Sequence, residues 1–250
     1  MAEYGPCEIR NAAGALHCES GPALVIATDD DYREGWYHDG QLHREDGAAV
    51  RHLDMFGVTT LEWYCKGQRH YDAGPALVVS DNFDGVTKQT WYRHGLLHRE
   101  GGPALEYTNS KGNICEDWRI GGERHREDGP AYVEHTRFGK YEAWYLNGEY
   151  VRKDGGPAIV EYTEYGVRNV WFSDGARHRD GEPAIVEPIE YGVRLEWYVR
   201  GQRHRTDGPA VVTPLQDGFD YEWWVEDVQM TEDEYCNAGY GALVKACQEK

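Results

Sequence analysis

A tryptophan recurs along most of this chain at a nearly constant spacing of 26 to 28 residues. A fixed period in this range is the signature of a repeat array, in which each unit buries its apolar surface against its neighbours. The period predicts about nine units of roughly 27 residues, counting a first copy without tryptophan. The series consists of Trp36, Trp63, Trp91, Trp118, Trp144, Trp171, Trp197 and Trp223.

The residues after each tryptophan follow the pattern W-Y-x-x-G-x-x-H-R-x-D-G-P-A, as in "WYVRGQRHRTDGPA" and "WYHDGQLHREDGAA". Between these motifs, "PAIVEY" alternates like a strand, "TEYGV" reads as a turn and "VRLEWY" as the return strand. The x-x-G segment predicts a second tight turn, in which glycine supplies a positive φ. Each unit is therefore predicted to be an antiparallel β-hairpin followed by a corner, the H-R-x-D-G-P segment.

This tandem W-Y-x-x-G core resembles the MORN (membrane occupation and recognition nexus) repeat family, especially its divergent branch with H-R-x-D-G-P-A units. The resemblance covers nearly the whole chain and implies an elongated all-β array of hairpins and a source among bacteriophages or large DNA viruses. Its units are longer than usual MORN units and lack their glycine-rich ending, so the lipid-related property is not carried over. No apolar run is long enough to span a membrane and no basic face favours one, so we expect no membrane partner.

The motif contains residue types that also serve catalysis. His204 with Asp207 could act as a base and its orienting carboxylate, but the same pair recurs as His43 with Asp46 and as His125 with Asp128. Every unit needs a corner, whereas an enzyme needs one active site, and no serine recurs beside the histidine. We therefore interpret the motif as structural and expect neither enzymatic activity nor a cofactor. The predicted structural ladder is Trp36, Trp63, Trp91, Trp118, Trp144, Trp171, Trp197, His43, His98, His125, His178 and His204.

The repeated histidines do not predict a metal ladder. Equivalent residues of neighbouring units should lie about 10 Å apart, twice the inter-strand spacing. Zinc ligands lie roughly 2 Å from the metal, so two motif histidines cannot share one ion, and we expect no metal site. The six cysteines include no C-x-x-C pair, which favours a reducing compartment, here the cytoplasm of a host or a virion.

A second row of residues lies at the predicted far turns of the hairpins, where solvated residues are expected. These aromatics could form an apolar stripe for a partner. Alternatively, each ring folds back over the neighbouring unit as a second ladder. The candidate partner-binding residues are Tyr32, Phe56, Phe83, Phe138, Tyr165, Tyr191 and Phe219.

The formal net charge of −18 is concentrated at the two ends of the chain. Residues 1–35 carry seven acidic residues against Arg10 and Arg33, net −5, and residues 217–250 carry nine against Lys245 and Lys250, net −7. Acidic ends would keep open sheets from joining edge to edge. The alternative is an acidic decoy that imitates nucleic acid. Direct binding of nucleic acid is not expected.

The last segment departs from the repeat, so we divide the chain into an array over residues 1–230 and a helical cap over residues 231–250. Thr231 and Glu234 read as a capping box. The stretch "ALVKAC" reads as a short amphipathic helix that turns Leu243, Val244 and Cys247 inward.

Repeat arrays present long surfaces that suit macromolecular partners. We therefore expect a non-enzymatic protein-binding function, in which a viral protein inhibits or recruits a host factor. A virion structural or decoration protein is an alternative, as is the acidic decoy. The sequence leaves the identity of the partner and the oligomeric state open.

Overall fold

A computed structural model of the chain describes residues 7–81 and 83–240. The expected fold class is confirmed, because these residues form antiparallel β-hairpins with one short helix near the C-terminus. Two compact units divide the chain, Met1–His125 and Arg126–Lys250. In each unit the long strands pair with their neighbours in chain order, so each forms an antiparallel meander.

The described part of the first unit has a meander of long strands and a row of short two-stranded hairpins beside it. The meander contains, in order, Cys7–Glu8, Leu24–Ala27, Tyr32–Gly35, Val50–Leu53, Val58–Glu62, Leu77–Asp81, Thr87–Thr90, Leu105–Thr108 and Ile114–Asp117. The short hairpins pair Tyr37–His38 with Gln41–Leu42, Tyr64–Cys65 with Gln68–Arg69, Tyr92–Arg93 with Leu96–Leu97, and Arg119–Ile120 with Glu123–Arg124.

The second unit repeats this arrangement. Its meander contains Tyr132–Thr136, Gly139–Ala143, Ile159–Thr163, Gly166–Val170, Ile185–Ile189, Gly192–Glu196, Val211–Leu215, Gly218–Val225 and Val228–Met230. The short hairpins pair Tyr145–Leu146 with Glu149–Tyr150, Phe172–Ser173 with Ala176–Arg177, and Tyr198–Val199 with Gln202–Arg203.

The short hairpins correct the sequence prediction, which gave each unit one hairpin and a corner. The backbone leaves the long meander at the motif tryptophan. The Trp91 N–H donates to the Ala104 carbonyl at 2.8 Å, and the Trp91 carbonyl accepts from the His98 N–H at 3.1 Å. The tryptophan is therefore the pivot between a long hairpin and a short one.

Both central residues of most short turns have positive φ, as a type I′ turn requires. Asp39 has φ 47° and Gly40 has φ 78°. The glycine was predicted from the motif. The positive φ of the residue before the glycine was not predicted, because that position varies among Asp, Lys, His, Asn and Arg. The residues are Asp39, Lys66, His94, Asn147, Asp174 and Arg200.

The core of each repeat contains the alanine that ends the repeated motif. This alanine is completely buried at every one of its positions: Ala23, Ala49, Ala76, Ala104, Ala131, Ala158, Ala184 and Ala210. The motif tryptophans are only half-buried, apart from Trp223. In at least five repeats the guanidinium of the motif arginine covers one face of the half-buried indole ring. The guanidinium lies 3.6 to 4.1 Å from the ring centre in the pairs Arg44–Trp36, Arg99–Trp91, Arg152–Trp144, Arg179–Trp171 and Arg205–Trp197.

The C-terminal helix, Glu232–Asn237, starts at the predicted capping box. The Thr231 hydroxyl accepts the Glu234 N–H, and the Glu234 carboxylate accepts the Thr231 N–H at 2.9 Å. The helix buries Tyr235 completely against Trp223 and Val225. The predicted "ALVKAC" helix lies outside the described residues. None of the helical structure in the described part of the chain is long and apolar enough to cross a membrane.

Candidate partner-binding surface

The motif residues that looked catalytic are engaged inside the fold. The Arg205 Nε donates to Asp207 at 2.7 Å while its guanidinium covers Trp197. The His204 Nδ1 accepts the backbone N–H of Glu226 at 3.3 Å. Corresponding histidine bonds reach the turns that follow His17, His43, His70, His98 and His178. The donating N–H belongs to the first residue of the turn, so these motif histidines support the tight turn of the next repeat.

A carboxylate beside some tryptophans forms a network that the sequence reasoning missed. The side chain of Glu196 is almost fully buried; it accepts from the Tyr198 hydroxyl at 3.0 Å and from Arg194 and Arg203 at 2.8 and 3.3 Å. Glu62 and Asp117 make similar networks in the first unit. The sequence signal for this network is an acidic residue immediately before the motif tryptophan. Several repeats lack that residue, so it is not part of the repeated motif.

Six of the seven predicted tip aromatics are exposed, including Phe56 at 68% and Phe83 at 83%. The others are Phe138, Tyr165, Tyr191 and Phe219. Tyr32 differs: it starts the strand Tyr32–Gly35, is half-buried, and its hydroxyl donates to Glu34 at 2.7 Å, which raises the pKa of the phenol.

A short polar side chain fixes the backbone of several tips. The Asp54 carboxylate accepts the N–H groups of Phe56 and Val58, both at 2.9 Å. The Asp81 carboxylate accepts the Phe83 N–H at 2.9 Å. These Asx turns fix the tips locally, so each ring is presented on a defined backbone.

In the first unit the exposed rings border one cleft of about 740 Å³. The Phe83 ring lies over the adjacent tip, since a Cβ on Gly57 would come within 2.7 Å of it. The Phe83 ring therefore both contacts the neighbouring turn and remains exposed. We call this the acidic tip cleft, and it is lined by Thr28, Asp29, Asp30, Asp31, Tyr32, Leu53, Asp54, Met55, Phe56, Gly57, Asp81, Phe83 and Asp84.

The acidic tip cleft combines an apolar floor with six aspartates, and no lysine or arginine is among its described lining residues. Three of the aspartates have local roles: Asp54 and Asp81 hold their turns, and Asp31 contacts the His52 imidazole at 2.5 Å. Asp29, Asp30 and Asp84 add carboxylates at the exposed rim. The cleft is therefore suited to a positively charged ligand with an apolar group.

The tips of the second unit carry a different charge pattern. Arg137 covers the Phe138 ring at 4.3 Å, and in the strands next to the tips Arg168 and Arg194 pair with Glu187. Hydrogen bonds to the adjacent glutamates raise the pKa values of Tyr165 and Tyr191. These tips mix both charges, so the sequence-predicted aromatics do not form one uniform surface.

No model of a known protein family matches the chain, and a search of curated proteins found no match to it either. The MORN-type resemblance therefore stays a prediction from the motifs. The repeated hairpins agree with it without identifying the family.

Proposed function

We propose that this protein is a non-enzymatic binding protein whose acidic tip cleft receives a basic segment of another protein. The observation that carries the proposal is the combination of Phe56, Phe83 and Met55, all strongly exposed, with a rim of aspartates and no cation among the described lining residues. An exposed apolar surface with a polar rim is typical of a protein interface. A leucine or aromatic side chain of the partner would contact the rings, and its lysines or arginines would face the aspartates.

The two kinds of contact should contribute differently to binding. Exposed carboxylates attract a basic partner over about 8 to 10 Å at physiological salt, which mainly accelerates association. The rings supply the buried apolar area that slows dissociation. The resemblance to viral repeat proteins supports a host factor as the partner, bound in the host cytoplasm or at the virion.

The proposal can be tested with a random peptide library displayed on phage and selected on the full-length chain. We expect enrichment of peptides that combine two or more lysines or arginines with a leucine or an aromatic residue. Selected peptides would then be synthesised with a fluorophore and their Kd measured by anisotropy at 50 and 300 mM salt.

Three variants make the measurement specific. F56S/F83S should weaken binding at least tenfold at both salt concentrations, and D29N/D30N/D84N should weaken it mainly at low salt. Phe219→Ser removes a ring with 57% exposure outside the cleft and should leave Kd unchanged. Circular dichroism checks that each variant folds.

Other results would contradict the proposal. Selection of acidic or neutral peptides would exclude a basic ligand. Binding lost in the aspartate variant but unchanged in F56S/F83S would favour the acidic decoy. Equal losses in F56S/F83S and Phe219→Ser would show that the cleft is not the site.

A further inference from the structure

Two imidazoles from successive units face each other at the start of the described chain. His17 is the motif histidine of the first copy, and His38 lies in the short hairpin that follows the next tryptophan. Their ring centres are 4.6 Å apart. Motif histidines were expected to be too far apart to share an ion, but His38 is not a motif histidine and that argument did not cover it.

Two carboxylates bracket this pair of rings. On one side, Asp39 places Oδ1 3.1 Å from the His17 Nδ1 and Oδ2 3.3 Å from the His38 Nδ1. On the other side, the Glu19 Oε1 lies 3.1 Å from the His17 Nε2 and 4.0 Å from the His38 Nε2. The two Nδ1 atoms thus share one carboxylate, and the two Nε2 atoms face the other.

The Asp39 carboxylate is placed to stabilise the tautomer that metal binding at Nε2 needs. A carboxylate on Nδ1 holds the ring proton there and leaves the lone pair on Nε2, as in the carboxylate–histidine–zinc arrangement. The Asp39 carboxylate is itself held by the Asn11 amide at 2.9 Å. The His17 Nδ1 accepts the Asp39 backbone N–H at 3.1 Å, so metal binding at the His17 Nε2 requires the ring proton to move to Nδ1 and this hydrogen bond to break.

We propose that His17, His38 and Glu19 form a binding site for a borderline divalent transition metal ion, with Zn²⁺ as the principal candidate. One ligand atom from each residue lies within 4.8 Å of the others. Imidazole nitrogens and a carboxylate oxygen bind zinc at about 2.0 to 2.2 Å, so small rotations of exposed side chains bring the set to coordination distance. Glu19 and His38 have side-chain exposures of 79% and 51%, which allows those rotations.

Among the residues that the structure describes, the other corners lack this convergence. His70 and His94 stack at 4.4 Å and nearly parallel, with Asp72 3.4 Å from the His70 Nε2. Within the described residues, His17, Glu19 and His38 are the one group of three or more candidate ligands found this close together. The ion would join the corner of the first copy to the next short hairpin, so its binding should stabilise the N-terminal units.

The experiment is a titration of the metal-free, full-length chain with ZnCl₂, followed by calorimetry. We expect one saturable site per chain that is lost in His38→Ala and in Glu19→Gln, and a higher Tm in the presence of Zn²⁺. Asp39→Asn keeps a residue that tolerates positive φ and should weaken the Kd by about 10- to 100-fold, as loss of a supporting carboxylate does. His94→Ala alters the stacked His70–His94 pair, which lies outside the proposed site, and should bind like the wild type.

Co²⁺ substitution controls for the six cysteines of the chain. The proposed site predicts d–d bands without thiolate-to-cobalt charge transfer. The proposal is overturned if the wild type shows no saturable binding, if the folded variants His38→Ala and Glu19→Gln bind as tightly as the wild type, or if a thiolate band accompanies the bound ion. Should His38→Ala fail to fold, Glu19→Gln decides alone, since it changes a highly exposed side chain.

Discussion

The guanidinium of Arg99 lies 3.6 Å from the centre of the Trp91 ring and also donates to Glu106 at 2.8 Å and to the Pro103 carbonyl at 3.1 Å. One side chain thus covers the tryptophan, closes the corner and reaches the next long strand. Only a planar group with several donors can do all three at once. This explains why arginine, and not lysine, follows the motif histidine in most units.

The stacked arginine gives the first prediction. Arg99→Lys should lower the free energy of unfolding by about 1 kcal/mol, because an ammonium group cannot stack and bond in the same way. Arg93→Lys, at an exposed side chain 3.9 Å from Glu100, should change it by less than about 0.5 kcal/mol. Urea denaturation followed by tryptophan fluorescence measures both, and equal effects would remove the special role of the stacked position.

The histidine bond to the next turn gives the second. The His98 Nδ1 accepts the Gly121 N–H at 3.0 Å. His98→Gln removes the acceptor from the Nδ1 position and should lower the free energy of unfolding by about 1 kcal/mol. His98→Asn puts a carbonyl oxygen near the Nδ1 position and should cost less. The same urea series compares them; a larger loss for asparagine than for glutamine would contradict the role assigned to Nδ1.

The buried carboxylate beside a tryptophan gives the third. Glu196→Ala leaves Arg194, Arg203 and the Tyr198 hydroxyl without a shared acceptor and should destabilise the protein by about 3 kcal/mol. Glu196→Gln keeps the volume and one acceptor, so its loss should be smaller. Thermal unfolding of the two variants tests this order, and an unchanged Tm for Glu196→Ala would show that the network adds nothing.

The corner aspartates predict an acid-dependent loss of stability. Hydrogen bonds from Arg44 and Arg126 lower the pKa values of Asp46 and Asp128, and a backbone hydrogen bond from Gly156, followed by Arg152, lowers that of Asp154. A lowered pKa means that the stabilisation is present above the ordinary value of 3.8 and is lost as pH falls through the folded value. Urea midpoints measured from pH 6 downward should therefore fall most steeply below pH 3.8.

The triple variant D46N/D128N/D154N serves as the comparison for that titration. It should be less stable than the wild type at pH 6 and should approach it at the acid end, because protonation removes the same charges from the wild type. Parallel curves across the whole range would rule out these three carboxylates as the source.

The docked helix gives the fifth prediction. The Tyr235 hydroxyl accepts the Gly208 N–H at 3.2 Å and lies 3.0 Å from the Arg205 carbonyl. Tyr235→Phe leaves the Gly208 N–H without that acceptor and should cost about 1 to 2 kcal/mol. Burial raises the pKa of this phenol, so its stabilisation is complete below the ordinary value of 10.0 and is lost as pH rises through the folded value. Alkaline denaturation should show a smaller loss in Tyr235→Phe than in the wild type, because the other tyrosines with raised pKa values remain in both.

The sequence by itself determined the repeated hairpins, the glycines of the tight turns and the capping box at Thr231. These features depend on local backbone conformation and on a period that the tryptophans display openly. The sequence analysis did not predict a separate short hairpin, because each of its two strands has only two residues. Nothing in the motif marks the tryptophan as the point at which the chain leaves the meander.

Only the tertiary structure decided which side chains meet across units. His17 meets His38, Tyr235 meets Gly208, and Phe83 lies over Gly57 because of the register between successive hairpins. The repeated motif omits the residues that differ from repeat to repeat, such as His38 and the rim aspartates. The features that recur in every repeat can therefore be predicted from the sequence. The contacts that distinguish one repeat from another depend on neighbours in space, which the period does not specify.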